Sequence, residues 1–322
     1  MTKNSTNLNT FSNIKSYLNI IIKISFFLAS GSTLYFLIRS PIALQKTLTL
    51  QPKNSILNFY NLKIPNEKWK SINEIKNIFK KIPYKKSVLP IWTINPQEKM
   101  IRTILNGEGT CTNQSFGFAI YSSMLGRNTS IISIMNKDKW FEGKGHMVAF
   151  TEVENKGNII LDLRQGGSPT INNSYLNLEN LLNSRKKNYG FSSFINEDKK
   201  FVKNGPPRGE LKVNAFKADD IYTIMVNDEI NNYHSILQKL NNFINLPEGK
   251  IKKYIFDTIT LLTDIYPKNY INTSQFKTLI NNFPLLFFMA YLWKLSNWVL
   301  LSSLIIFLLS KKIYLKKDFL KF

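Results

Sequence analysis

Gly107-Glu108-Gly109-Thr110-Cys111-Thr112-Asn113-Gln114, followed at once by Ser115 to Leu125 (SFGFAIYSSML) and Gly126, is the stretch on which the fold turns. Glycines on both sides of Glu108 predict a sharp turn, and a helix is expected from about Cys111 to Leu125, stopped by Gly126. Phe116, Ile120 and Met124 form one apolar stripe on it, and Phe118, Tyr121 and Leu125 form another. Two adjoining stripes predict a buried central helix. Upstream, Asn95-Pro96-Gln97-Glu98 reads as a helix start, with Asn95 as N-cap, Pro96 at the first helical position and Glu98 placed to bond back. Met100, Ile101, Ile104 and Leu105 are its apolar face, and Asn106-Gly107 ends it.

Downstream the hydrophobic period changes from 3.6 to 2. Thr129 to Met135 predicts a strand and Asn136 to Gly145 a loop. His146 to Val153 alternates, with His146, Val148, Phe150 and Glu152 on one face. Glu154 to Gly157 predicts a hairpin turn, Asn158 to Leu163 a third strand, and Arg164 to Thr170 a loop. Further on, Ile230, Tyr233, Leu237, Leu240 and Ile244 mark one helix, and Ile251, Tyr254, Ile255, Ile259, Leu262 and Ile265 another. Before the central region, Lys68 to Lys81 carries Trp69, Ile72, Ile75, Ile78 and Phe79 at helical spacing, as a helix packed on the domain or one lying on a membrane surface. The fold class is therefore α+β: a helix, an antiparallel meander, then helices.

The two ends of the chain are apolar. Tyr17 to Ile38 is long enough to cross a bilayer. Lys23 lies close enough to the start to snorkel, where a lysine at the bilayer centre would cost about 2.5–3.5 kcal/mol. A cleaved signal peptide ending near Ala29-Ser30-Gly31 is the alternative, but the long polar lead-in and the apolar residues continuing to Ile38 favour an anchor. A second stretch, Phe283 to Leu309, spans when taken back to about Tyr291, with Tyr291, Trp293 and Trp298 as belt residues and Lys294 near an interface; a buried core helix is the bland alternative. Lys311, Lys312, Lys316, Lys317 and Lys321 follow it and predict a cytoplasmic end. Two crossings then place both termini in the cytoplasm and the central domain outside it, in an extracytoplasmic or periplasmic position. The expected segments are a tail over 1–16, a membrane helix over 17–38, a domain over 41–225 with its core at about 95–170, a helical extension over 226–282, a membrane helix over 285–309 and a basic tail over 310–322.

Composition narrows the chemistry. The 322 residues carry 43 Lys+Arg against 21 Asp+Glu, for a net charge of +22, but Lys outnumbers Arg 37 to 6. Arginine is the residue suited to bidentate recognition of bases and phosphates, and no basic run is interleaved with aromatics, so no nucleic-acid partner is expected. One Cys and two His exclude an intrachain disulfide and a Cys-rich zinc module. No cofactor is expected.

What remains is a thiol at the mouth of a buried helix and an imidazole opening a strand. A helix N-terminus favours thiolate over thiol, and thiolate is the nucleophile. An imidazole beside Cys111 would raise the thiolate fraction and later protonate a leaving group. Asp162, on the neighbouring strand, would fix the tautomer of His146 if the hairpin aligns them. The Cys111 backbone N–H is one available oxyanion donor. Trp140 offers a second through its indole N–H, against its plainer reading as a packing residue. His234 has no partner in sequence and receives no role.

Gly-Glu-Gly-Thr-Cys111, the helix ending in Leu125-Gly126, the strand from Gly145-His146 to Glu152-Val153, and Asn158-Ile-Ile-Leu-Asp162 resemble the core of the transglutaminase-like superfamily. The match covers about Ile101 to Arg164. Many members carry an aromatic residue two positions after the His and an acidic one soon after it, whereas this chain has Met147 and Val148 there and reaches Phe150 and Glu152 later. The resemblance implies a papain-like core, a central helix packed on an antiparallel sheet, with Cys111 as nucleophile, His146 as base and Asp162 as orienting acid. It implies a membrane-anchored cysteine enzyme performing acyl transfer at amide bonds of a protein or peptide substrate, as a peptidase or amidase with water and as a cross-linking transferase with an amine. The alternative is a non-catalytic membrane-tethered scaffold that keeps the fold. Membrane lipid is the expected partner of the two helices, and a membrane-protein partner beside them stays open.

Overall fold

Nine strands and eleven helices build the described chain in the computed structural model, which describes residues 3–61, 67–83, 90–142, 145–183, 189–195 and 220–319. Of the segments expected above, residues 196–219 of the domain and 320–322 of the basic tail, with Lys321, lie outside the described residues. The chain divides into two compact units, one drawn from 1–48 and 283–322 and the other from 49–282.

In the first unit, α1 (Lys3–Arg39) packs against a long C-terminal helix, Pro284–Phe319, and α2 (Pro41–Thr49) leads out of it. Ser16–Arg39 and Pro284–Ser310 are each long and apolar enough to cross a membrane. The buried positions of the pair mix small residues, which let two backbones approach, with large ones such as Phe36, Phe287 and Trp293. Ser25, Ala29 and Ser32 are buried on α1, and Ala290, Trp293 and Ser296 on the partner helix, where the Trp293 indole donates to Thr33 Oγ1 at 3.1 Å. The other faces leave Phe26, Phe27, Leu34, Leu295, Ile306 and Leu308 exposed, an apolar surface that suits lipid rather than water.

The second unit is built on a six-stranded sheet. Its strands are β1 (Leu50–Lys53), β2 (Thr129–Met135), β3 (Gly145–Val153), β4 (Gly157–Leu161), β8 (Ile221–Met225) and β9 (Asn269–Asn272), in the order β1-β9-β8-β2-β3-β4. All neighbours are antiparallel except β1 and β9. A smaller sheet holds β5 (Gly167–Ile171), β6 (Ser174–Tyr175) and β7 (Gly190–Ser193). The helices are α3 (Ile56–Asn61), α4 (Ile72–Lys81), α5 (Pro96–Met100), α6 (Cys111–Met124), α7 (Leu178–Asn183), α8 (Asn227–Phe243), α9 (Lys250–Leu262) and α10 (Thr273–Asn282), so the Pro284–Phe319 helix is α11.

The central strands are buried on both faces, so every residue of β2 (TSIISIM) is buried, its small polar Thr129, Ser130 and Ser133 included. On one face Val148 and Phe150 pack with Ile132, Ile134, Tyr222 and Ile224 under α3 and α7. On the other, Ala149 and Leu161 meet Phe118 and Ile120 of α6 and Ile75 and Phe79 of α4. The β3–β4 hairpin turns through Asn155 (φ 59°) and Gly157 (φ 67°), left-handed positions that those residue types tolerate. Glu152 stays on the Val148–Phe150 face, hydrogen-bonded to Tyr60. Val148, Phe150 and Glu152 therefore share a face, as expected.

Several expected boundaries shift. β4 stops at Leu161 rather than Leu163, and Arg164 to Thr170 is not one loop, since Gly167 opens β5. Residues 137–142, expected as loop, form a 3-10 turn, and Ile101–Leu105 winds as a π turn continuing α5. Met124 and Leu125 end their stripes exposed. Residues 226–282, expected as a helical extension, contribute β9 to the sheet itself. Trp69 lies outside α4, bridged to Val153, with its indole donating to Thr151 Oγ1 at 2.9 Å, while Ile75, Ile78 and Phe79 are buried, so this helix packs on the domain. On α9 the burial is opposite to the expected stripe. Ile251, Tyr254 and Ile255 face out, while Lys252, Phe256 and Thr260 are buried, and Glu248 pairs with Lys252 at 2.8 Å, which permits the burial of that lysine.

Candidate active site

Cys111 is the first residue of α6, half-buried and in no disulfide. The turn before it follows from its residue types. Gly107 (φ 67°) and Gly109 (φ 90°) take left-handed backbone, and a Cβ on Gly109 would lie 2.8 Å from the Asn113 Cβ. Asn113 Oδ1 accepts from the Thr110 backbone N–H at 3.1 Å and from the Thr110 hydroxyl at 2.8 Å, and Gln114 Nε2 donates to the Gly107 carbonyl at 3.4 Å. Upstream, Asn95 caps α5 as expected, accepting from the Glu98 N–H at 3.1 Å.

His146 is the second residue of β3 and Asp162 the residue just past β4. The ladder pairs Ala149 with Leu161, and one further step sets Asp162 opposite Val148, diagonal to His146 and on its face. The side chains meet, with His146 Nε2 2.6 Å from Asp162 Oδ2 and both fully buried. The second carboxylate oxygen, Oδ1, accepts from the Gln165 backbone N–H at 3.1 Å. The Asp162 N–H donates to the Gly167 carbonyl at 2.8 Å, which fixes the acid at the junction of the two sheets.

With Nε2 committed to Asp162, the other ring nitrogen is the one left for the thiol. Nδ1 makes no hydrogen bond among the described residues, and Cys111 acts on the ring in the same sense as Asp162, raising its pKa. Cys111 therefore bears on the ring electrostatically, and its effect is smaller than that of Asp162. Burial alone would push the imidazole toward its neutral form. Asp162, with Cys111 adding to it, outweighs burial and raises the His146 pKa from 6.5 to about 10. The electrostatics thus favour imidazolium at neutral pH, and the interaction is mutual: a cation beside Cys111 favours thiolate.

Arg164 was not among the residues singled out for chemistry, and it reaches the same place. It is 9% exposed, and its Nη1 donates to the Gly109 carbonyl at 3.4 Å. Burial lowers its pKa, while the charges of Cys111 and Asp162 act to raise it. The only hint in sequence is a charged residue inside a glycine-rich turn two positions after Asp162. Trp140, offered as an oxyanion donor, is buried at 1% exposure.

His234 lies elsewhere, on α8 and edge-on to Phe116 with ring centroids 6.0 Å apart. Neither ring nitrogen makes a hydrogen bond among the described residues. Burial, with Lys99 adding to it, drives its pKa well below 6.5. Among the described residues no three His, Cys, Asp or Glu side chains gather as metal ligands.

Comparison of the chain with protein-family models, with curated proteins and with solved structures finds no match in any of the three.

Proposed function

We propose that the chain is a membrane-associated cysteine enzyme of the transglutaminase-like type, acting on an amide bond of a protein or peptide through a thioester. The observation that carries this is the buried His146–Asp162 pair at 2.6 Å, with Cys111 acting on the same ring. A thiolate at a helix N-terminus beside an imidazolium is an activated nucleophile. In the first half-reaction the Cys111 sulfur bonds to the substrate carbonyl carbon, the C–N bond breaks, and the His146 proton leaves on the amine nitrogen. In the second, water or an amine gives a proton to His146 and attacks the thioester, and the thiolate departs. Asp162 keeps the ring oriented and stabilises its cationic form in both. The Cys111 N–H is the available donor to the developing oxyanion. Water as acceptor gives hydrolysis; an amine gives a cross-link.

Two apolar helices, one near each end of the chain, support membrane association. The lysines after Leu309 support cytoplasmic termini and an outward domain. Because Cys111 is the only cysteine, one reagent tests chemistry and topology together. Iodoacetamide is expected to alkylate Cys111 well below pH 8.5, with Cys111→Ser as blank; a midpoint near the free-thiol value of about 8.5 sinks the enzyme reading and leaves a tethered scaffold. A membrane-impermeant maleimide is expected to label Cys111 in intact cells, and labelling only after lysis reverses the orientation.

A further inference from the structure

We infer that Arg164 is a positioning residue for the nucleophile: it ties the turn carrying Asp162 to the loop ending in Cys111 and sets a permanent positive charge beside the thiol. The inference rests on the cysteine-enzyme reading of the same site and adds a group that reading does not use.

Arg164 sits in the tight turn between β4 and β5, where the Gln165 N–H donates to Asp162 Oδ1 at 3.1 Å and the Gly166 N–H to the Asp162 carbonyl at 2.9 Å. From that turn its guanidinium crosses to the Gly109 carbonyl, 55 residues back along the chain and two before Cys111. The loop cannot easily retreat. Its glycine at φ 90° already lies against Asn113, and Gln114 Nε2 holds the Gly107 carbonyl. The Gly107–Thr110 loop is thus held from one side by the first turn of α6 and from the other by Arg164.

The charge matters because it does not titrate in the working range. During thioester formation negative charge passes from sulfur to the carbonyl oxygen, and the C–N bond then breaks as the amine takes the His146 proton. His146 is neutral once it has given that proton up. Arg164 stays positive throughout, so it favours the thiolate and the oxyanion over the neutral states on either side. The charges of Cys111 and Asp162 act on the guanidinium in the matching sense.

The test uses the full chain with Arg164→Gln and Arg164→Lys, each checked for folding by thermal melting, and follows iodoacetamide alkylation of Cys111 across pH. Arg164→Gln is expected to raise the alkylation midpoint by about one pH unit and slow labelling about tenfold at acid pH, and Arg164→Lys to stay within about threefold of wild type. A folded Arg164→Gln with the wild-type profile overturns the inference while leaving the nucleophile intact. A wild type that itself titrates near pH 8.5 overturns the nucleophile reading instead. If the Gln variant does not fold, the Lys variant decides: a folded Arg164→Lys whose midpoint moves to about 8.5 overturns the role of the charge.

Discussion

The two histidines occupy equally buried places and titrate in opposite directions. His146 is raised to about 10 because Asp162 and Cys111 outweigh burial. His234 meets Phe116, Tyr233 and Lys99, with no carboxylate bonded to it among the described residues, and falls well below 6.5. Lys99 is itself pulled down to about 8, by burial first and then by Lys253, against Asp257 and Glu248. Burial by itself neutralises an imidazole; a hydrogen-bonded carboxylate is what turns a buried histidine into a held proton.

The sharpest way to break the contrast is Asp162→Ala, which removes the carboxylate from His146 and leaves burial opposed only by the smaller effect of Cys111. Removing one partner of a buried pair is expected to cost about 3–5 kcal/mol in urea unfolding. Histidine NMR should then show His146 titrating below its usual range, and a His146 that still titrates above 6.5 refutes the dominance of Asp162.

Cys111→Ala isolates the imidazole–carboxylate pair. A raised pKa means that the stability contributed by imidazolium is full below about pH 6.5 and is lost as pH rises toward the raised value, which without Cys111 lies below the wild type's value of about 10. Unfolding free energy should fall across that window by at most about 1.4 kcal/mol per pH unit, and a flat profile contradicts it.

His234 predicts the opposite limb. Its folded form resists protonation, so stability is present above about pH 6.5 and is lost as pH drops below it, when the unfolded chain takes up the proton. His234→Leu should flatten that acid limb. It should also gain about 1 kcal/mol at neutral pH, since two ring nitrogens buried without hydrogen bonds are removed; a loss of stability instead would show that the ring is satisfied. The smallest effect is expected of Lys99→Met. The His234 resonance should shift upward in pH yet stay below 6.5, because burial is the larger cause; a rise past 6.5 would make Lys99 the main one.

What could be read from the residues alone follows the range of each interaction. The start of α6, the cap at Asn95, the whole of β2 and the hairpin after Val153 are set by neighbours within a few positions, and they fall where periodicity and glycines put them. Cys111, His146 and Asp162 were nameable because each stands at the end of such an element, and the structure joins His146 to Asp162 and lets Cys111 act on the ring. Arg164 was not, because what brings it to Gly109 is the closure of the turn between two sheets. α9 misled for a related reason. Its apolar spacing is genuine, but the face that turns inward carries Phe256 and Thr260 together with Lys252, whose pairing with Glu248 no hydrophobic period encodes. Likewise β1 and β9 carry four residues each and find one another across most of the domain.

That last pairing has a consequence in time. Leu50 lies beside Asn269 and Lys53 beside Asn272, and the Asn269 side chain donates to Thr49 while Asn272 accepts from the Ile56 N–H. The first strand of the unit to leave the ribosome therefore waits for the last before its edge is covered, an interval of roughly ten to forty seconds at ordinary rates of synthesis. Through that interval Leu50 to Lys53 offers an open edge to any passing strand. When β9 emerges it covers one edge of β1, which stays the end strand of the sheet.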